Sequence, residues 1–107
     1  MKRTYNKLVR DNIPEIIESK GEKAVTKILN DEEYLNALFE KAKEELHEVE
    51  TAVNPSESKE ELADLLEVVR AIAEHKGFSL CEIIEEADRK SEKRGPFAKK
   101  IFLLGVE

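Results

Sequence analysis

Residues Lys43 to Asp64 read KEELHEVETAVNPSESKEELAD. They decide the fold, because a helical pattern runs up to Asn54-Pro55, breaks there and resumes at once. Proline disfavours helical geometry at the residue before it and suits the first position of a new helix. The connection is short, so the two helices are expected to be antiparallel neighbours. The first carries Glu44, Glu45 and Glu48, and the second carries Glu61 and Asp64.

Upstream of the break, Asn30 and Glu33 have the spacing of a capping box, and Leu29 stands where it can staple onto Tyr34. From there Leu35, Leu38, Phe39, Ala42, Leu46, Val49 and Val53 recur at intervals of three and four, which predicts one helix to about Thr51 or Val53. Downstream, Leu62, Leu65, Leu66, Val69, Ile72 and Ala73 form the stripe of a second long helix, with Gly77 as a left-handed stop. Phe78, Ser79, Glu82 and Ile83 repeat the staple and capping box and open another helix. Its inward positions are Leu80, Ile83, Ile84 and Ala87, and it turns basic before Gly95-Pro96 ends it.

Toward the N-terminus, Asn12 is expected to cap a short helix with Pro14 in its opening turn and Glu15 returning the bond. Ile13, Ile16 and Ile17 would face inward there, and Gly21 suits its stop. Two short apolar segments, residues 24–29 and 101–104, are candidates for a minor two-stranded β element. The expected fold is therefore all-α, an antiparallel bundle of about four helices in a single domain spanning residues 1–107.

Composition agrees with a helical chain, since apolar residues make up 40% and charged residues 39% of 107 positions, with no Trp. A net charge of -6 argues against a surface built for nucleic acid or an anionic membrane. No apolar run approaches the roughly 20 residues of a membrane span, and the N-terminus lacks the apolar core of a secretion signal, so a cytoplasmic location is expected. Cys81 is the only cysteine, which excludes an intrachain disulfide and a thiolate zinc cluster, and it reads as a small buried residue on a helix. Glycine-rich phosphate loops, nucleophile elbows and HExxH are all missing from the sequence.

Residues three apart share a helix side, so Glu45 with Glu48, and Glu61 with Asp64, are neighbouring carboxylates that repel one another. Counting about 100° per residue, Glu45 and Glu61 fall about 80° from the centre of their apolar stripes, and Glu48 and Asp64 about 140° away in the same sense. On antiparallel helices, equal offsets put the two acidic rows either in one shared groove or on opposite outer edges. In a shared groove, a hard divalent cation such as Mg²⁺, with Mn²⁺ as the alternative, is the expected counter-charge. On outer edges the same acids are an ordinary solvated face, and Glu61 is a capping partner for Ser58. His47 falls opposite the apolar stripe, at an exposed position. Lys7 and Arg10 near one end, and Lys90, Lys93 and Arg94 near the other, are candidate phosphate ligands, or else solubilising charge.

Glu44-Glu45-Leu46-His47-Glu48 followed by Glu61-Leu62-Ala63-Asp64 is an EExxE…ExxD pattern. With it, the chain resembles the MazG-like family of all-α nucleoside triphosphate pyrophosphohydrolases. YNKLVRDNIPEII at Tyr5 to Ile17, ELADLLEVV at Glu61 to Val69 and KRGPFAKKIFL at Lys93 to Leu103 are similar to a small single-domain branch related to phosphoribosyl-ATP pyrophosphohydrolases. The resemblance implies that Glu45, Glu48, Glu61 and Asp64 hold Mg²⁺, that Glu44 belongs to the same catalytic set, and that Lys7, Arg10, Lys90 and Arg94 lie near a triphosphate. It also implies a nucleotide substrate cleaved between the α and β phosphates, and a homodimer or larger assembly. Pro96 departs from the branch, which usually has a second glycine after Arg-Gly; a proline offers no backbone N–H there.

Overall fold

A computed structural model describes residues 3–107, and among these the chain forms four helices and no strand. They are α1 (Ile13–Ser19), α2 (Asp31–Thr51), α3 (Pro55–His75) and α4 (Leu80–Arg94). The starts of the last three follow local chemistry. Asn30 accepts from the Glu33 N–H and Glu33 returns the bond, Asn54 accepts from the Glu57 N–H, and Ser79 and Glu82 close a second capping box. Ser58 lies inside α3, where its N–H donates to the Asn54 carbonyl, so Glu61 is not its capping partner. Gly77 takes φ +92°, which lets its N–H reach the Glu74 carbonyl and the Phe78 N–H reach the Ala73 carbonyl, closing α3.

α1 departs from its expected start. Asn12 sits in helical geometry with no side-chain cap bond, so the opening turn rests on Pro14 and backbone contacts alone. None of its residues is buried, and Ile16 is exposed.

The expected two-stranded element is absent: residues 24–29 and 101–104 are irregular and largely exposed, with Ile28 at 97%. Each segment has strand-like composition, but neither finds the other, and a strand without a partner leaves its backbone groups to water. Cys81 is likewise exposed rather than buried, because α4 packs only on α3 and leaves its outer face open.

The core lies between α2 and α3, centred on Leu38, Val68 and Ala73. Leu35, Ala42, Val49, Leu65 and Ile72 flank it half-buried. The expected inward positions Phe39, Leu46, Val53, Leu62, Leu66 and Val69 are exposed instead. The packed seam is rotated away from the middle of each apolar stripe and toward the acidic row, so that Glu45 is the one buried charged residue among those described. Half of each stripe therefore faces outward. The radius of gyration is 18.0 Å over extents of 61 × 35 × 25 Å, against about 13 Å for a compact domain of this length.

The capping chemistry makes a paired prediction. Asn30→Ala should cost about 1 kcal/mol of stability, seen as a fall of several degrees in the melting midpoint, whereas Asn12→Ala should leave the midpoint unchanged because its side chain caps nothing.

Candidate metal centre

The α2–α3 turn is three residues long, so the helices run back along each other, and the far-end contact shows the register. The Tyr34 ring meets the His75 ring edge-on at 5.6 Å between centroids. Glu45 lies three turns along α2 from Tyr34, and Asp64 lies equally far back along α3 from His75, so the two carboxylates come opposite each other. Glu61 follows one turn away on the same side of α3 as Asp64. Oxygens of Glu45, Glu61 and Asp64 all lie within 4.8 Å of one another. The acidic rows thus share one groove, and the outer-edge alternative is excluded for these three residues.

Glu45 is 8% exposed, while Glu61 and Asp64 are half-buried. Partial burial, and then the charges of Asp64, Glu48, Glu45 and Glu60, push the Glu61 carboxyl above its usual range. Glu48 is exposed and stands outside the three-oxygen group, but close enough for its charge to act on Glu61. A shallow hollow beside it, at the α2–α3 turn, is lined by Glu48, Thr51, Glu57, Glu60 and Glu61. A carboxyl whose ionisation is opposed by burial and by facing acids, as at Glu61, is the setting a cation relieves. The donor set is all oxygen, with no His or Cys, which fits a hard divalent ion and not a soft one.

Three protein cations already touch this acidic face. Arg10 Nη2 donates to Asp64 Oδ1 at 2.7 Å, and Lys7 Nζ lies 3.6 Å from Glu44 Oε1. Lys41 Nζ bridges Glu44 and Glu45, at 3.5 and 3.4 Å from their Oε1 atoms, with a side chain only 20% exposed. Lys41 escaped the sequence reading. Its signal was present, since a lysine three residues before Glu44 and four before Glu45 faces both on a helix.

The second basic set is placed differently. Lys90, Lys93 and Arg94 lie on the C-terminal half of α4, all exposed, and α4 packs on α3 but not on α2. Within one chain, the groove is approached by the N-terminal arm and not by these residues. His47 is exposed on α2, as its angular position predicts.

An all-α pair of antiparallel helices with an EExxE…ExxD groove defines the class, and comparison with known proteins gives the family. The chain belongs to the phosphoribosyl-ATP pyrophosphohydrolase family, whose model matches residues 7–91. It is accordingly a MazG-like pyrophosphohydrolase, a hydrolase acting on phosphoric anhydrides. The match takes in Lys7, Arg10, all five acidic site residues and Lys90, and stops short of Lys93 and Arg94. No curated protein and no solved structure matches the chain. No helix among the described residues is long and apolar enough to cross a membrane.

The raised Glu61 pKa carries a stability consequence. A carboxyl whose folded pKa lies above its unfolded value is favoured in the folded state when protonated, so its ionised form strains the fold above that pKa. Glu61→Gln should therefore melt higher than wild type at pH 7 without divalent ions, and the gap should close as pH falls through the ordinary carboxyl range. Melting curves from pH 7 to pH 4 check this.

Proposed function

We propose that this chain is a Mg²⁺-dependent nucleoside triphosphate pyrophosphohydrolase, cleaving between the α and β phosphates to release a nucleoside monophosphate and pyrophosphate. The observation that carries the reading is the convergence of Glu45, Glu61 and Asp64 at one point of the α2–α3 groove, in a chain of this family. Glu45, Glu48, Glu61 and Asp64 would hold the ion, with Mn²⁺ as an acceptable substitute, and Glu44 completes the catalytic set. When bound, such an ion neutralises polyphosphate charge and positions a water for attack on phosphorus.

The chain's own residues supply the rest. Burial fixes Glu45 in the seam, so one ligand is preorganised by packing and not by a flexible loop. Lys7 and Arg10 stand beside the acids, where ammonium and guanidinium groups can bond phosphate oxygens. Lys90, Lys93 and Arg94 extend the phosphate-binding set. Because α4 leaves α2 uncovered, we place these residues at the groove of a second copy. The exposed row Phe39, Leu46, Leu62, Leu66 and Val69 is the surface that a homodimer or larger assembly would cover.

The biology we favour is removal of surplus or damaged nucleotides in the cytoplasm. A second reading is hydrolysis of phosphoribosyl-ATP, the same bond in a different substrate, and the family's name supports it.

Pyrophosphate release from a panel of standard and damaged nucleoside triphosphates, run beside phosphoribosyl-ATP with Mg²⁺, separates the two. The expected outcome is turnover of a nucleoside triphosphate, and preference for phosphoribosyl-ATP would transfer the assignment. Glu61→Gln and Asp64→Asn should each lose at least about a hundredfold, since changes even to groups supporting a metal ligand cost 10–100-fold. Folded variants with full activity would remove the groove from the chemistry.

A further inference from the structure

The three cations on the acidic face are not equivalent. Lys41 is rooted in α2, with its side chain mostly covered beside Glu44 and Glu45. Lys7 and Arg10 belong to the irregular arm before α1, with side chains 43% and 57% exposed. Their partners lie far away in sequence, Arg10 reaching 54 residues ahead to Asp64. The arm is therefore strapped over the groove by two surface ion pairs, one of them on a carboxylate that also offers an oxygen to the cluster.

A cation that takes Asp64 lowers the charge Arg10 sees, and Arg10 on Asp64 lowers the charge a cation sees. Coulomb attraction to a shared carboxylate makes the two compete. An exposed pair is weak enough to be exchanged, and a guanidinium released from a carboxylate is well matched to phosphate oxygens, which it bonds with the same fork geometry.

We infer that Arg10 is an exchangeable counter-ion, held by Asp64 until a divalent cation takes that carboxylate, and then passed to the polyphosphate of the incoming substrate. This inference rests on the metal-binding reading of the groove proposed above. The arm thereby couples ion loading to phosphate binding: the side chain that disfavours the ion alone favours the ion and polyphosphate together. Arg10 is on this account both a substrate ligand and the group whose removal unmasks the cation site.

The test uses two probes on the full chain, Mn²⁺ alone and inorganic tripolyphosphate in saturating Mn²⁺. Free Mn²⁺ is followed by electron paramagnetic resonance. Arg10→Ala should bind Mn²⁺ about two- to fivefold more tightly than wild type, the range an exposed ion pair allows. The same variant should bind tripolyphosphate about tenfold more weakly, as loss of a charge-assisted bond requires. Lys43→Ala removes the same charge from the outer side of α2, where Lys43 pairs with Glu40, and should shift neither constant comparably. Opposite shifts in Arg10→Ala alone are the signature, because damage to the fold would weaken both. Unchanged or weaker Mn²⁺ binding in Arg10→Ala, undiminished tripolyphosphate binding, or an equal gain in Lys43→Ala overturns the inference while leaving the metal site standing. Failure of wild type to bind Mn²⁺ at all overturns both.

Discussion

The site depends on one constraint: packing between α2 and α3 forces three carboxylates closer together than their charges favour. Leu38, Val68 and Ala73 bury the seam, and that apolar gain holds Glu45 against Glu61 and Asp64. Partial burial, and then the neighbouring carboxylate charges, hold the Glu61 carboxyl above its usual range. Lys41 from within α2 pairs with Glu45, and Arg10 from the arm pairs with Asp64. The groove is thus a centre of negative potential built by helix packing and partly neutralised by the chain itself, the arrangement expected where a divalent cation and a polyphosphate meet.

How much of this was readable in the sequence varied with the range of the interaction involved. The starts of α2 and α4 were legible, because a capping box is made by residues three apart, Asn30 with Glu33 and Ser79 with Glu82. The Asn54-Pro55 break and the Gly77 stop were legible for the same reason. The cap expected at Asn12 used the same logic but did not form; nothing in α1 is buried to fix the approach of the chain.

Longer-range features were less legible. Angular counting left the acidic rows either in a groove or on outer edges, since a helical wheel does not say which side of an apolar stripe meets the neighbour. The seam turned toward the acids, so Glu45 went inside while Phe39 and Leu46 stayed out. Pairing of residues 24–29 with 101–104 could not be decided from composition, because a strand is stabilised by a partner that composition does not locate. The five acids and the arm cations were named from the sequence, whereas Lys41, the closest fixed counter-charge to Glu45, was passed over although its spacing is local.

The central claim, that α2 and α3 hold Glu45, Glu61 and Asp64 as a divalent-cation site, is tested most directly by melting the protein with and without Mg²⁺. Wild type should melt at a higher temperature in Mg²⁺ than in NaCl of equal ionic strength, because an ion that binds only the folded chain stabilises it. Folded Asp64→Asn and Glu45→Gln proteins should lose that rise. A wild-type midpoint indifferent to Mg²⁺, or an equal rise in both variants, would contradict it.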